Sequence, residues 1–580
     1  MPAIFTQVEK FKQHIKKYVP ILSSIDSYNK TIFKGDLNAG VTVAIMLIPQ
    51  GMAYAILAGL PPVYGLYASI IPLILYAVFG TSKQLAVGPV AMVSLLVVAG
   101  VGEFAEVGSD RFIQLAILTA LGVGVVQFLM GLFKMGFLVN FLSHPVLSGF
   151  TSAAAIIIGA SQIKNLTGLE LPRSNYVHEI LAEAAKRITE IEPITAIIGI
   201  GSIAAIMILR KWKRTFPSAL AVVVAGTVIT AGLGLNQYGV SIVGEIPTGL
   251  PSFSTEFFNV NDFQALLPII LVIALVSYME SIAVAKAIAT KHGYKIDANQ
   301  ELVALGSANI GGAFFQSFPT TGGFSRTAVN DQSGANSTIA SLISAAIVAL
   351  TVLFLTPLFY YLPNAVLAAI IMVAVAGLFD LKEMKHLWKT DKRDFAMLMV
   401  TFAATLVFGI EEGIAVGVVL SLVLVIYSST KPHSAELGQL GGSKNFRNIE
   451  RFRDAVVNDE ILIYRYDSSL YFANVEHFEE TLNARMEKHG DDLKLIILDA
   501  SAMNTIDSTG MHTMEEIIKK LNEKGIKLYI SGAIGPVRDK LKKCGIKDTL
   551  GEKSFFFDVN DAKDHFYEND EENREYAPYS

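Results

Sequence analysis

The chain has 580 residues, of which 52% are hydrophobic and 17% are charged, and its mean hydropathy is +0.46. This composition is typical of a polytopic membrane protein. The formal net charge of -5 identifies no partner, because it averages an apolar region with a charged one. The lone Cys544 excludes an intrachain disulfide and a cysteine metal cluster. We predict no cofactor, no metal and no nucleic-acid partner.

The apolar residues come in long blocks up to roughly residue 430, after which the sequence becomes charged and alternating. This change predicts a transmembrane domain and a smaller soluble one. The first residues lack the charged, apolar and small-residue progression of a cleavable signal peptide, so the first span is expected to direct insertion. The predicted organisation is a cytoplasmic segment at 1–35, a transmembrane domain at 36–430, a soluble domain at 440–566 and a solvated acidic tail at 567–580.

The apolar segments predict about fourteen spans in two sets of seven. The first set lies near 38–55, 63–79, 89–101, 113–133, 137–161, 193–209 and 217–235. The second set lies near 264–290, 299–313, 319–330, 336–357, 364–379, 394–410 and 412–429. Basic residues near the span ends collect on one side, whereas the long segment 236–263 on the other side contains no Lys or Arg. The positive-inside rule therefore predicts that both termini are cytoplasmic.

Two spans, which open at Pro89 and Pro319, are too short to cross about 30 Å of hydrocarbon. Their positions match, because Pro89 lies 53 residues after Asp36 (89 − 36) and Pro319 lies 57 residues after Asp262 (319 − 262). Paired short segments of this kind indicate an inverted repeat, here 36–235 and 262–430, with a site near the membrane midplane. The alternative is that the prolines merely kink ordinary helices.

The segment at 317–326, with the sequence SFPTTGGFSR, combines proline, glycines and hydroxyls with one arginine inside an apolar region. Irregular backbone at membrane depth is tolerated only where it is buried in protein or lines a watery cavity. A short helix starting after Pro319 would direct its free N–H groups and positive dipole end into that cavity, and Arg326 would add a full charge. The predicted ligand is an anion.

Several motifs in this chain resemble those of the SulP, or sulfate permease, anion transporters. They are GDLNAG at 35–40, LIPQGMAYA at 47–55, GLPPVYGLY at 59–67, GPVA at 88–91, GSAN at 306–309 and SFPTTGGFSR at 317–326. The resemblance covers nearly the whole chain. It implies a polytopic α-helical fold of fourteen spans in a 7+7 inverted repeat, divided into core and gate domains. It also implies an elevator-like movement of the core, a homodimer and a multi-pass location in the cell inner (plasma) membrane.

The same resemblance places the anion between the third and tenth spans, with the first and eighth alongside. The substrate-binding residues that it implies are Gln50, Tyr54, Val90, Ala91, Thr320, Thr321, Phe324, Ser325 and Arg326. Their chemistry agrees, since small residues let backbone amides approach an oxyanion and hydroxyls can donate to it. Each has a structural alternative: Ser325 can bond back to a helix carbonyl, Tyr54 can be core packing, and Gln50 can bridge helices.

Arg326 and Glu280 are the charged residues of interest within the spans, where charge is costly and usually functional. Arg326 can coordinate substrate, supply positive potential or pair with an acid, and Glu280 in the eighth span is the obvious acid. A carboxylate buried there is a candidate for coupling protons to the anion. Sodium is the alternative coupling ion. The sodium-coupled bicarbonate branch has an aspartate here with a threonine one turn later, whereas this chain has Glu280 and Val284.

The predicted function is secondary active uptake of sulfate coupled to protons. Bicarbonate, chloride exchange and dicarboxylates remain open as substrates, because members with this architecture differ by a few pocket side chains. A channel-like anion sensor that signals through the soluble domain is a further alternative. An enzyme is not predicted, because the sequence has no metal-ligand cluster, phosphate-binding glycine loop or supported pair of nucleophile and base.

The soluble region alternates strands such as 460–466 and 494–499 with helices such as 477–487 and 511–524, which predicts a small α/β domain. It resembles a STAS domain, with DAS at 499–501 and IDSTG at 506–510 as the signature loop. In bacterial regulators the hydroxyl residue before that glycine is phosphorylated, and here it is Thr509. The alternatives are regulation by a cytosolic partner through phosphate at Thr509 and simple capping of the helix by residues 507–509.

Overall fold

The computed structural model of the chain describes residues 16, 18–26, 28–137, 143–171, 176–212, 216–441 and 443–569. Most of the predicted acidic tail, and the start of the N-terminal segment, lie outside this part of the chain. The chain forms two compact units, with the boundary between Ser421 and Leu422. The first is helical and the second contains a sheet.

The helices of the first half of the first unit are α1 (Ile21–Asp26), α2 (Lys30–Leu57), α3 (Pro62–Tyr67), α4 (Ile71–Phe79), α5 (Ala91–Val101), α6 (Asp110–Leu132), α7 (His144–Ser161), α8 (Ile163–Thr167), α9 (Val177–Lys186), α10 (Pro193–Trp212) and α11 (Ser218–Leu233). The short strand β1 (Val87–Gly88) precedes α5.

The helices of the second half are α12 (Val260–Ala265), α13 (Leu267–Lys291), α14 (Ala298–Phe314), α15 (Phe324–Gln332), α16 (Ile339–Phe354), α17 (Asn364–Val375), α18 (Leu381–Thr390), α19 (Lys392–Phe408) and α20 (Ile410–Thr430). The short strand β2 (Thr321–Gly322) precedes α15.

Each of the fourteen predicted spans coincides with helix within the described residues, the second being formed by α3 and α4 together. Eight helical segments of this part are long and apolar enough to cross a membrane alone. Helices α5 and α15 are not, since they have 11 and 9 residues, and an 11-residue helix is roughly 16 Å long. The prediction of two short spans is confirmed. The predicted short helix after Pro319 starts at Phe324, because residues 321–322 are extended.

The helix contacts in the first unit are the same in both of its halves when each helix of one half is matched with the corresponding helix of the other. Helix α2 packs against α16, and α6 packs against α13; likewise α7 packs against α19, and α10 against α17. When each helix is replaced by its counterpart in the other half, the first pair becomes the second and the third pair becomes the fourth. The two aspartates that precede the halves, Asp36 and Asp262, also make corresponding contacts. Asp36 accepts hydrogen bonds from the backbone of Asn336 and Ser337 just before α16, and Asp262 pairs with Arg111 at the start of α6. The inverted repeat predicted from the paired short spans therefore appears in the packing.

Helices α6 and α14 cross in close contact because glycines face each other. A Cβ atom at Gly306 would lie 2.5 Å from the backbone nitrogen of Phe128 and 2.8 Å from the carbonyl oxygen of Gly124. Real Cβ atoms do not approach backbone this closely, so neither glycine tolerates a side chain without separating the helices. Small residues serve the same purpose in other membrane helix pairs. The GSAN motif at 306–309 is thus explained partly by packing.

The second unit is an α/β domain. Its strands are β3 (Ser434–Leu440), β4 (Phe446–Asn448), β5 (Ala455–Val456), β6 (Ile461–Tyr466), β7 (Leu495–Asp499), β8 (Lys527–Ser531) and β9 (Phe555–Phe556). Its helices after α20 are α21 (Val475–His489), α22 (Ser508–Glu523), α23 (Gly535–Lys543), α24 (Ile546–Leu550) and α25 (Val559–Asn569). The strand order is β4-β3-β6-β7-β8-β9, and β5 also pairs with β3.

Strands β6 to β9 are parallel, whereas β3 runs antiparallel to β4, β5 and β6. Alternate residues of β6 enter two separate apolar clusters: Leu462 and Tyr464 lie in one, and Ile461 and Ile463 in the other. Both faces of the central strands are therefore covered, as parallel strands require. The predicted strands and helices are confirmed, although the sheet begins at Ser434, before the predicted boundary at 440.

Candidate functional site

Two short helices, α5 and α15, begin side by side in the first unit. The strands before them pair antiparallel, with Val87 opposite Gly322 and Gly88 opposite Thr321. Each helix then starts after a residue of extended conformation, Val90 for α5 and Gly323 for α15, and no side chain of the described residues caps either start. The first N–H groups of a helix have no partner within it, and the helix dipole makes this end positive. The ladder thus brings two positive helix ends together.

Further contacts brace the backbone before α5 against α15. The N–H of Ala86 donates to the hydroxyl of Thr327 (3.1 Å), and the N–H of Gly323 donates to the carbonyl of Ala86 (3.2 Å). The amide of Asn330 donates to the carbonyl of Gln84 (2.8 Å). Because these bonds join residues on both sides of the ladder, the two helix ends form one rigid arrangement.

Arg326 lies in the first turn of α15 and is only 2% exposed. One terminal nitrogen, Nη1, donates to the carbonyl oxygen of Pro89 at 2.5 Å. The Nε and Nη2 atoms are buried and have no hydrogen-bond partner in the described part of the chain. A Cβ at Gly323 would lie 3.0 Å from Nη2, and one at Gly88 would lie 3.4 Å from it. The glycines of the ladder thus make room for a guanidinium group with two unused donors.

Glu280 lies in α13, and its Oε2 atom is buried without a hydrogen-bond partner among the described residues. Its charge and that of Arg326 act on each other and on the Tyr54 hydroxyl. The described residues contain no direct ion pair between Glu280 and Arg326, since no nitrogen–oxygen distance of 4.0 Å or less joins them. Val284, one turn later, is buried and apolar. The two charged groups are therefore close enough to interact electrostatically but are not in direct contact.

Thr320 and Thr321 differ from the prediction that their hydroxyls donate to the anion. The Thr320 hydroxyl donates to Oδ1 of Asn309 (3.2 Å), and the Thr321 hydroxyl donates to the carbonyl of Ser277 (2.6 Å). The Thr321 oxygen also lies 2.6 Å from the Ser281 hydroxyl. Each threonine has a single hydroxyl proton, which is used within the protein in this arrangement. These hydroxyls fix the extended segment onto α13 and α14.

The remaining predicted residues fall into a buried group and an exposed group. Gln50, Tyr54, Val90 and Ala91 are all buried, with at most 7% of their surface exposed. Phe324 and Ser325 are exposed at the start of α15, and Ser325 lines a cavity of about 400 Å³. The structure brings Tyr54 within electrostatic reach of Arg326 and Glu280. It therefore unites residues of α2, α13 and α15.

Sequence reasoning missed the polar side chains that support this site. Asn309 in α14 accepts from the N–H of Thr320 (2.8 Å) and donates to the carbonyl of the same residue (3.1 Å). It also donates to Gln127 in α6 (3.1 Å), which in turn donates to the hydroxyl of Ser277 (2.8 Å). Buried polar groups must be paired, so this network specifies one position for the segment before α15. The GSAN motif contained Asn309, but spacing alone gave it no partner.

Glu301 is a second supporting residue and is fully buried in α14. Its carboxylate accepts from the Tyr76 hydroxyl (2.8 Å), the N–H and hydroxyl of Thr81 (2.7 and 2.6 Å) and the N–H of Ser82 (2.9 Å). These four bonds anchor the loop that leads to β1 and α5. Glu301 thus connects the second half of the unit to the short helix of the first.

In the second unit, Asp507 caps α22 by accepting from the N–H of Gly510 (2.8 Å). Its other carboxylate oxygen accepts from the N–H of Phe472 (3.0 Å). Thr509 is exposed in the first turn of this helix. The capping alternative is thus realised by Asp507, while Thr509 remains accessible.

Comparison with known proteins gives two family matches. Residues 33–401 match the sulfate permease family, and residues 453–562 match the STAS domain. The chain is 41% identical over 547 residues to "Sulfate transporter 4.1, chloroplastic" of Arabidopsis thaliana, covering 91% of this chain and 79% of that protein. The solved structure of SLC26A9 superposes with a TM-score of 0.90 at 26% identity, covering 98% of this chain and 96% of that one. Murine Slc26a9, described as inward-facing, gives 0.89 at 27% identity, covering 96% and 95%.

Proposed function

The chain belongs to the sulfate permease family of anion transporters, and we propose from this premise that it takes up sulfate together with protons. The observation that carries the proposal is the pair of helix starts, α5 and α15, next to a buried arginine with two donors that no described residue accepts. Backbone N–H groups, helix dipoles and a guanidinium all favour a negatively charged oxygen ligand. Members of this family are transporters, so an enzymatic role is not proposed.

Sulfate is the proposed substrate. The plant relative described above is named as a sulfate transporter, and the donors at the two helix starts suit an oxyanion. We place the anion against the N–H groups that follow Val90 and Gly323, beside Ser325 and Arg326. Gln50 and Tyr54 on α2 complete the proposed pocket. Thr320 and Thr321 are assigned to its support, because their protons are already donated to the protein.

Glu280 is the proposed proton carrier. The Arg326 charge favours the ionised form of the Glu280 carboxylate. A sulfate ion near Arg326 would add negative charge beside that carboxylate, and like charges at close range cannot both stay ionised at low cost. Protonation of Glu280 on anion entry would then link the two ions in a fixed ratio. Val284 in place of a threonine removes one oxygen ligand that a sodium ion would need.

Transport is proposed to occur by alternating access with an elevator-like movement. The matching helix contacts of the two halves support this mechanism, because an inverted repeat can adopt two related states, one open to each side of the membrane. The high structural similarity to an inward-facing relative supports an inward-facing assignment for this structure. The helices that carry the site, α2, α5, α13 and α15, would move together. The other group, including α7, α10, α17 and α19, would remain as the gate.

The experiment that tests this function is uptake of labelled sulfate into proteoliposomes with imposed pH gradients. An inward proton gradient is expected to accelerate uptake and to drive accumulation above the external concentration. Excess unlabelled sulfate should compete more strongly than bicarbonate, chloride or a dicarboxylate at both internal pH values tested. Uptake that is indifferent to pH gradients of either direction would contradict proton coupling, and stimulation by sodium alone would favour the sodium alternative.

The second unit is a STAS domain, and we propose that it is cytoplasmic and carries the regulatory surface. Thr509 is exposed at the start of α22, where helix N–H groups would favour an added phosphate. Intact-mass analysis of protein from cells grown with and without sulfate tests this role. A mass increase that disappears in Thr509→Ala supports phosphorylation, and its absence under every condition argues against it. Homodimer formation is also proposed, and the mass of the detergent-solubilised protein measured by light scattering tests it.

A further inference from the structure

A cavity of about 400 Å³ opens beside the exposed start of α15. On one side it is lined by a single face of that helix, formed by Ser325, Ala328, Val329 and Gln332. The end of α10 and the start of α11 also line the cavity, as does Met46 of α2. The residues contributed there are Arg210, Lys211, Phe216, Pro217, Ser218 and Ala219. The cavity therefore begins at Ser325 of the proposed anion pocket and extends toward the face predicted to be cytoplasmic.

The charge of this lining has one sign. Arg210 and Lys211 are its charged members, and no acidic residue is among the described residues that form it. Arg210 is partly buried and has no hydrogen bond or ion pair within the described residues, although arginines in such positions usually have one. Its charge acts on the hydroxyl of Tyr54, which is itself within reach of Arg326. Arg210 therefore lines the cavity as a cation with no hydrogen-bond or ion-pair partner among the described residues, within electrostatic reach of Tyr54.

Arg210 and the pocket belong to different groups of helices. Helix α10, which carries Arg210, packs against α8, α11 and α17, whereas α15 packs against α2 and α13, and the two groups meet where α2 packs against α11 and α17. If the second group moves as a body, the separation between Arg210 and the pocket changes during transport. A charge on the stationary group can then contact the anion on one side of the membrane only.

We infer that Arg210 is a second anion-contacting residue, which binds the substrate at the mouth of the inward-facing cavity. The inference rests on the proposed transport function. It adds that sulfate binds with different affinity from the two faces of the membrane. A lone guanidinium lining a cavity raises the local concentration of anions and offers a bidentate contact to sulfate oxygens. Arg210 therefore strengthens sulfate binding from the face into which this cavity opens and leaves binding from the other face unchanged.

The test compares Arg210→Gln with Arg210→Lys and with a matched control, Lys286→Gln. Lys286 is an exposed cation near the end of α13 and does not line the cavity, so its loss changes net charge without changing the cavity. Full-length proteins are reconstituted, and vesicles are sorted by capture of an affinity tag appended after Ser580. Initial rates of labelled sulfate transport are then measured from each face separately at low and at physiological ionic strength.

For Arg210→Gln, the KM at the face with the cavity is expected to rise about tenfold, the order lost with one charge-assisted contact. The KM at the opposite face should stay within twofold, and Arg210→Lys should retain most of the affinity. Lys286→Gln should change neither value. Equal changes at both faces, or no change at either, would overturn the inference.

Failure of the proposed function would be recognised separately, because wild-type protein would then transport no sulfate from either face. In that case the same variants are compared by equilibrium binding of chloride and sulfate to detergent-purified protein. Weaker binding by Arg210→Gln, but not by Lys286→Gln, would still support an anion site at Arg210. Identical binding by both variants would refute it.

Discussion

Replacement of Arg326 tests the proposed pocket most informatively, because two of its three guanidinium nitrogens are buried without hydrogen-bond partners among the described residues. Arg326→Gln removes the charge and retains a shorter amide, whereas Arg326→Lys keeps a point charge with a different geometry. In the wild type, Nη1 is held by the carbonyl of Pro89 at 2.5 Å, so Nε and Nη2 are the atoms left for an anion. A lysine ammonium in that space contacts either the carbonyl or the anion well, but not both.

The expected loss is that of one charge-assisted hydrogen bond, because the glutamine amide in Arg326→Gln retains a donor. A hydrogen bond to a charged group contributes about 1.5 to 3 kcal/mol, which corresponds to roughly a 10- to 150-fold weaker sulfate affinity in Arg326→Gln. Arg326→Lys should lie between this variant and the wild type. Affinity is measured by equilibrium binding of labelled sulfate to purified protein, and thermal unfolding checks the fold.

The control addresses Glu280, which loses its offsetting charge when Arg326 is neutralised. A buried unpaired carboxylate is destabilising, so Arg326→Gln is expected to lower the unfolding temperature. The double variant that also carries Glu280→Gln should recover stability without recovering sulfate binding. A folded Arg326→Gln protein with wild-type sulfate affinity would show that the pocket is misplaced.

Three further predictions concern groups around the site and in the STAS domain. Glu280→Gln should abolish the dependence of sulfate uptake on a pH gradient and retain sulfate exchange, measured as counterflow; preserved pH dependence would contradict the coupling role. Glu301→Gln should destabilise the protein by about 1 to 3 kcal/mol, because an amide cannot accept all four bonds that the carboxylate accepts, and an unchanged thermal unfolding curve would refute this. Asp507→Ala should lower the stability of the STAS domain by about 1 kcal/mol through loss of the helix cap. The reaction of Cys544, the single thiol of the chain, during urea unfolding reports that change.

The sequence was sufficient to predict the transmembrane helices and the relation between the two halves. Long apolar blocks indicate the spans, and the similar placement of Pro89 and Pro319 in the two halves indicates the two short helices. Both features are local, so they can be detected without knowing which residues meet in space. The elements of the soluble domain were predicted for the same reason, from alternation within single strands.

The supporting network could not be predicted, because it joins residues that are far apart in sequence. Glu301 bonds to Thr81, 220 positions earlier, and Gln127 bonds to Ser277, 150 positions later. The position of Thr321 in the motif predicts that it lies near the site, but it does not predict the direction in which its hydroxyl points. That direction depends on a carbonyl of α13 and on the pairing of β1 with β2. The late start of α15 at Phe324 has the same cause, since the ladder holds the preceding residues extended.

The most direct test of the account is a simultaneous measurement of sulfate and proton flux. Full-length protein is reconstituted with a pH-sensitive dye in the lumen, the membrane potential is clamped, and an inward sulfate gradient is applied without a pH gradient. We predict that the lumen acidifies in proportion to sulfate entry, and that Glu280→Gln abolishes the acidification. Sulfate entry by the wild-type protein without any proton movement would contradict the central claim.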